Sequence, residues 1–410
     1  MSNDYPRLRP VEAFPVEHEG QQFLALRDPA GYAASVVMLP GGLVEVVALF
    51  DGSHSIVDIQ AELVRRHGEI VPRAQIETLV DSLDEHGFME SERFAERRAA
   101  IEREFRASPT RPASHAGGAY AAEPEELRVT MDGFFAHPEG PGPIEWPVRP
   151  SGAIAGVIAP HIDFHRGGPA YAWAYRRLAE RCDGDLFVIF GTCHAGMRDP
   201  FALTRKDFAT PFGPAAVDRD FVDALTARAG QDCFGSELAH RGEHSLEFQA
   251  VFLRYLYATR REFTIVPILA SFAHEALARG QGPEDDPRVP RFLEAVGETI
   301  AASGRRVVVI AGADLAHMGP RFGDPSPISD DELRQIERED REMLGAVERG
   351  EPRAFFDAVA GDGDRRRICG YSPIYATLRV LGRPRGDLHR YGQWPDPQGV
   401  VTFASMTFES

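Results

Sequence analysis

The sequence is almost without lysine: Lys206 stands alone among 45 basic residues, the rest being arginine, a bias that reads as genome composition rather than function. Positive charge as a whole is scarce. With 62 acidic residues and a net charge of −17, the chain has no basic excess to neutralise phosphates, which excludes a nucleic-acid partner. No apolar run approaches the ~18 residues of a membrane span. The opening stretch, MSNDYPRLRPVEAF, has no apolar core that could serve as a signal peptide, so a cytoplasmic location is expected. A CxxC pair is also missing. Cys182, Cys193, Cys233 and Cys369 are scattered and read as reduced thiols rather than a disulfide frame. No internal repeat or low-complexity tract is present.

What is there suits a soluble globular chain, with 43% apolar and 26% charged residues. At 410 residues it is too long for one ordinary core, and implies two domains or a large one with an appendage. Extended segments FLALRD and SVVML are broken by Pro-Ala-Gly and Pro-Gly-Gly turns. Two amphipathic helices follow. The first has Ser55 and Asp58 as a capping box, an Ile56, Ile59, Leu63 stripe and Gly68 as its stop. The second has Pro72 near its first turn, Ile76, Leu79, Val80 and Leu83 on one face, and Gly87 closing it. Strands, then two helices, then Phe88-Met89 predict a small α+β winged-helix domain. Nine basic against seventeen acidic residues in the first hundred disfavour DNA binding. The segment DGSHSIVDIQAELVRRHG…IETLVDSLDEHGFM resembles the PqqD family of peptide-recognition domains. That likeness covers roughly residues 10 to 92 and implies β-augmentation, an extended peptide added to an edge strand. The expected organisation is a domain over residues 1–92, a helical arm and linker over 93–113, and a large domain over 114–410.

The large domain is organised around AIAGVIAPHIDFHRGG, residues 153 to 168. Ala153 to Ala159 is an apolar run without a charge, as in a strand buried on both faces. It ends in Pro160-His161, with Asp163, His165 and Arg166 close behind. Ligands in open α/β sheets bind past the carboxyl ends of strands, so a histidine there faces the crevice. The pattern recurs. DLFVIF, residues 185 to 190, ends in GTCHAG with Cys193-His194, and Val307 to Ile310 ends in Asp314 and His317. FTIVPIL adds a further strand, Leu388–Tyr391 and Val400–Phe408 the last ones, and helices alternate between them. This predicts an α/β fold with a mainly parallel sheet covered by helices on both faces.

EHSLEFQAVFLRYLY, residues 243 to 257, is a helix apolar on most faces yet opened by Glu243, His244 and Glu247. Burying such groups costs free energy unless each is hydrogen-bonded or bound to a metal. Cys369 lies in RRRICGYSPI, ahead of a helix starting about Ser372. Singly, each residue has a dull explanation, and histidines such as His240 and His274 read as structural. Together, His161, His194 and His317 arrive at one edge of one sheet. With Cys369, Glu243, His244, Glu247 and Asp314 they form a cluster for which a bound cation is the economical reason.

The stretches SHAGGAYAAEPEEL, APHIDFHRGG, GTCHAG, ATPFG, EHSLEFQAVFL, GADLAHMG and ICGYSPI resemble the Memo family, also called AmmeMemoRadiSam system protein B, in order and spacing over about three quarters of the chain. The family is similar in structure to the extradiol, LigB-type non-haem iron dioxygenases. The resemblance implies a metal site of His161, His194 and Cys369, with His317 beside it as an acid/base group, which Asp314 is expected to orient. His244 and Glu247 are then expected to fix a ligand's tautomer. Departures are Cys193-His194-Ala195 where some members have two consecutive histidines, the additional His165, and Tyr371-Ser372 in place of Arg-His. Two imidazoles and a thiolate favour Cu(I) over a hard oxygen-ligated ion and remain compatible with Fe(II) or zinc; the resemblance implies Fe(II) or copper ahead of zinc. The implied activity is that of a metal-dependent, dioxygenase-like oxidoreductase acting with a radical-SAM enzyme. The alternative is a copper- or iron-binding redox-protective or peptide-recognition protein without turnover.

Overall fold

A computed structural model of the chain describes residues 4–409 apart from 34, 69, 147, 149–151 and 153. Ala153, the expected start of the first buried strand, lies outside that description, as do the outermost residues of the two expected domains. The chain divides into two compact units between Ala107 and Ser108.

The first unit opens with an antiparallel sheet of β1 (Glu12–His18), β2 (Gln21–Arg27) and β3 (Val37–Pro40), in that spatial order. Four helices follow: α1 (Gly41–Val47), α2 (Ile56–His67), α3 (Arg73–Glu85) and α4 (Glu92–Ala107). The capping box at Ser55 and Asp58 starts α2, and Gly68 at φ +74° ends it. Ile56, Ile59, Leu63, Ile76, Val80 and Leu83 meet in one core with Phe50 and Phe88. β1 and α1 are additions to the sequence expectation. α4 covers residues 93–107 of the stretch expected as a helical arm and linker over 93–113. Phe94 and Phe105 of α4 are buried, and Arg9 lies over the Phe94 ring at 3.7 Å.

The second unit begins with β4 (Thr110–Arg111) and α5 (Pro124–Ala136), then β5 (Ile154–Ala159), α6 (Phe164–Arg181) and β6 (Leu186–Thr192). Next come β7 (Phe201–Leu203), β8 (Asp207–Phe208), α7 (Arg219–Ala229), α8 (His244–Tyr257), β9 (Thr264–Ala270) and α9 (Ala273–Ala278). The chain continues through α10 (Arg288–Ser303), β10 (Val307–Gly312), β11 (Asp314–Met318), α11 (Asp330–Glu348), α12 (Pro352–Ala360) and α13 (Tyr371–Leu381). It closes with β12 (Gly386–Asp396) and β13 (Gly399–Glu409).

Eight strands form one sheet in the order β11-β13-β5-β10-β6-β9-β7, with β12 paired to β13. β5, β10, β6 and β9 are parallel, as expected. The flanks are not: β13 runs antiparallel to β5, β11 and β12, and β7 runs antiparallel to β9. The sheet is therefore mixed rather than mainly parallel. The β12–β13 pairing itself is a tight hairpin, which can only be antiparallel. Helices cover both faces. A side chain at Gly312 of β10 would meet Ser245 and Gln249 of α8, while one at Gly156, paired with Val309, would meet Leu381 of α13. Positions 309 and 312 point to opposite sides of a strand, so α8 and α13 lie on opposite faces. Among the described residues no helix is long and apolar enough to cross a membrane.

Candidate metal centre

β5, β6 and β10 end side by side, and each end leads into polar residues. His161 lies just past β5, His194 just past β6, and β10 leads through Ala313 into β11, which carries Asp314 and His317. Cys369 arrives from the opposite direction, on the loop before α13. Its backbone N–H donates to Leu315 O at 3.2 Å and that of Gly370 donates to Asp314 O at 2.9 Å. Only glycine fits at 370, because a Cβ there would stand 2.5 Å from Asp314 O. The loop is tethered further back, where Asp364 accepts from the Ile368 N–H and pairs with His274 at 3.2 Å.

The result brings together His161, His194 and Cys369, whose nearest donor atoms lie within 4.8 Å of one another. Ligands sharing one ion stand about 3–4 Å apart, so the set fits one metal ion. The Cys369 sulfur is 3.0 Å from His161 Nε2, and the two imidazole rings cross at 80° with centroids 4.9 Å apart. Each ring has its far nitrogen tied down. His161 Nδ1 donates to Gly312 O at 2.9 Å, and His194 Nδ1 donates to Glu243 Oε1 at 2.9 Å. That leaves Nε2 as the lone-pair donor in both. Glu243 also takes the His194 backbone N–H at 2.8 Å, so one side chain fixes both the position and the tautomer of that ligand.

The electrostatics agree with a cation site. Burial, followed by the charge of His194, pushes His161 down to about 3, so it is a neutral lone-pair donor at neutral pH. Burial and then the Asp314 carboxylate push the Cys369 thiol well above its ordinary value. A thiolate there needs a positive ion beside it. Burial would also raise Glu243, yet the His194 and His244 rings and the hydrogen bonds hold it well below the usual carboxylate range.

The remaining expected residues surround this triad in altered roles. Asp314 does not orient His317. Its carboxylate takes the His161 N–H at 2.9 Å and stands 3.6 Å from His161 Nε2, and burial raises it to about 6. His317 is instead oriented by Leu315 O, 3.0 Å from its Nδ1, with Phe322 edge-on at 5.1 Å. Burial lowers His317 to about 4. His244 stacks on His194, with centroids 4.5 Å apart, and lies 5.3 Å from His161. It donates to neither ligand; Glu243, its neighbour, does the tautomer-fixing expected of His244 and Glu247. Glu247 faces away from the ligands and gathers Arg111, His115 and Tyr120. Of the departures, His165 is exposed on α6, the Tyr371 hydroxyl donates to Phe356 O at 2.6 Å, and Ser372 Oγ accepts from the Phe272 and Ala273 backbones. Tyr371 and Ser372 thus serve the fold around the site rather than the triad.

The sequence matches the Memo-like protein family over residues 111–407. The chain belongs to the Memo-like family. It is 27% identical to a MEMO1 family protein of Aquifex aeolicus over 97% of this chain and 99% of that one, so the likeness takes in both units. A MEMO1 family protein of Methanopyrus kandleri is 29% identical over 72% of this chain and 96% of its own. One of Thermus thermophilus is 28% identical over 80% and 90%. The Memo-like match starts at Arg111, inside the stretch expected as a linker. That arginine is wholly buried, paired with Glu247 and bonded to His240 O and Glu243 O. Sequence reasoning passed over Arg111 and His115. The signals for them were the unexplained carboxylate at 247, which needed a buried partner from somewhere, and for His115 its place in the SHAGGAYAAEPEEL stretch.

Proposed function

We propose that this Memo-like protein is a metal-dependent redox protein whose ion is held by His161, His194 and Cys369. One observation carries the reading: donor atoms from three distant segments lie within 4.8 Å of one another, with both imidazoles fixed in the tautomer a metal requires. The thiol among the donors favours Cu(I) over a hard, oxygen-preferring ion and is compatible with Fe(II) or zinc; the family resemblance supports Fe(II) or copper ahead of zinc. When bound, the ion supplies Lewis-acid and one-electron chemistry at positions left open by three protein ligands. The chain supplies the rest. Burial keeps His161 and His317 neutral, and His317, held by Leu315 O, is placed to take or give a proton at Nε2 beside the triad. Asp314 fixes the turn that carries His161.

Metal analysis of anaerobically purified protein tests this. Stoichiometric iron or copper, lost in His161→Ala and Cys369→Ala, supports it; metal-free protein that cannot be reloaded sinks it. A second reading, sequestration of copper without turnover, is favoured by the soft sulfur donor of Cys369. Tight Cu(I) binding with no O2 consumption for any candidate substrate would move the assignment there.

The N-terminal unit enters the same proposal as a PqqD-like peptide-recognition domain. Its three-stranded sheet has β1 and β3 as its edges, and Val36 and Met38 on or beside β3 are exposed. An extended peptide would add to such an edge. Together with the Memo-like unit it fits a radical-SAM enzyme as partner. A genome lacking one nearby, combined with no peptide binding by the full chain, would remove this part.

A further inference from the structure

Beside the proposed ligands the structure holds another imidazole tied to a carboxylate. Glu247 is wholly buried on α8 and is reached by one short stretch of chain: the Arg111 guanidinium, the His115 backbone N–H at 3.1 Å, His115 Nδ1 at 2.9 Å, and the Tyr120 hydroxyl. Burial opposes its ionisation, but the Arg111 charge and these hydrogen bonds prevail and hold it down at about 2. An ionised carboxylate can only accept, so Nδ1 of His115 is a proton-bearing nitrogen and Nε2 is the ring's remaining proton site. That Nε2 has no hydrogen-bond partner among the described residues. The ring is not sealed in: it is 27% exposed, beside His244 at 28% and His194 at 34%. Its centroid lies 5.6 Å from His244 and 5.7 Å from Phe248.

His161, His194 and His115 thus share one device, Nδ1 fixed by a buried acceptor and Nε2 at the other edge of the ring. Two of the three belong to the triad. A histidine that only anchored the chain would have its anchor in the backbone N–H already given to Glu247, and would gain nothing from an open ring edge. We propose that the Glu247–His115 pair is a base at the rim of the metal centre, and that His115 Nε2 accepts the proton of a hydroxyl or N–H group on the small molecule bound there. In that step the O–H or N–H bond of the ligand breaks, its electron pair stays on the ligand, and the new N–H forms at Nε2. The imidazolium is stabilised by Glu247, while Arg111 and Tyr120 hold the carboxylate and His244 and Phe248 flank the ring. The location rests on the metal-centre reading; the chemistry of the pair does not.

The test uses the full chain. Long-range proton–nitrogen spectra of histidine-labelled protein, assigned with His115→Asn, read the tautomer directly. Asparagine keeps an N–H donor for Glu247 but has no Nε2, so it preserves the anchor. Diethyl pyrocarbonate, which acylates unprotonated imidazole nitrogen, then reads access residue by residue through peptide mass spectrometry. His240 is the internal reference, being wholly buried with Nε2 on Ala202 O, so it reacts only through local opening. The expected results are proton on Nδ1, acylation of His115 about tenfold or more faster than His240, and unchanged metal content in His115→Asn. A proton on Nε2, acylation as slow as at His240, or loss of metal in His115→Asn overturns the proposal. Wild-type protein that binds no metal would instead remove the metal-centre reading and leave the other two measurements standing.

Discussion

The Cys369 sulfur lies 3.0 Å from Nε2 of His161 although 208 residues separate them in the chain. Neither partner reaches the other by chance. His161 is pinned through its backbone to Asp314 and through its ring to Gly312, while the two residues at the Cys369 turn are bonded to Leu315 and Asp314. The link between β10 and β11 is therefore the template for both. Cys369→Ser keeps the size of the side chain and hardens the donor, so it is expected to lower copper affinity by at least about tenfold while shifting the melting temperature little. Competition with a Cu(I) chelator measures it; unchanged copper affinity would take Cys369 out of the ligand set.

His317 gives the opposite expectation. It sits beside the triad yet is oriented by Leu315 O and is not among the donors that converge. His317→Gln should retain the full metal complement of the wild type while impairing any turnover that needs a proton moved. Loss of the metal in that variant would make it a ligand and redraw the site.

Glu243 contacts His194 at both its ring and its backbone. Removing such a support while leaving the ligand costs about 10–100-fold in metal affinity. Glu243→Gln is expected to fall in that range, with His161 and Cys369 undisturbed. A variant that binds as tightly as wild type would show that the ring holds its tautomer without the carboxylate.

Cys369, behind three arginines, was marked only by its ICG stretch, whereas His161 and His194 were legible because each follows an uncharged apolar run, and a sheet buried on both faces leaves such residues only its edge. The four parallel strands were legible for the same reason. The strand over Val400–Phe408 was legible too, but its direction was not, because a strand inserted antiparallel beside β5 has the same apolar pattern as a parallel one. The partners of Glu247 were hidden by distance, since Arg111 and His115 precede it by 136 and 132 residues. Arg111 also stands among Ser, Pro and Thr, a composition that reads as linker until the arginine is seen to be buried. A carboxylate on an apolar helix announces that it has a partner, not which one.

Gly370 tests how tightly the Cys369 turn is built. With a Cβ there 2.5 Å from Asp314 O, Gly370→Ala must push the turn away from β11. Overpacking of this kind costs about 1–3 kcal/mol. Here it should also carry the sulfur away from His161, so metal affinity falls together with stability. An alanine variant that loses stability but binds metal normally would mean that the turn can shift without moving Cys369.

Acid should act on the second unit through Glu247. Its ordinary value is 4.5 and the folded protein holds it at about 2, because the Arg111 charge and the hydrogen bonds from His115 and Tyr120 outweigh burial. A depressed carboxylate means that the unfolded chain takes up the proton first as the pH falls. The stabilisation is therefore complete above about pH 4.5 and is lost as the pH drops towards about 2, and amounts to something on the order of 3 kcal/mol. Glu247→Gln has no proton to bind, so its urea midpoint should fall less steeply through that window than the wild type's. At neutral pH the variant should be less stable by about 3–5 kcal/mol, because the buried Arg111 loses its counter-charge. Arg111→Met in the same background removes the stranded charge and should recover part of that loss. Parallel acid limbs in wild type and Glu247→Gln would show that the carboxylate titrates alike in the folded and unfolded chains, and the anchoring role given to the Arg111–Glu247 pair would have to be abandoned.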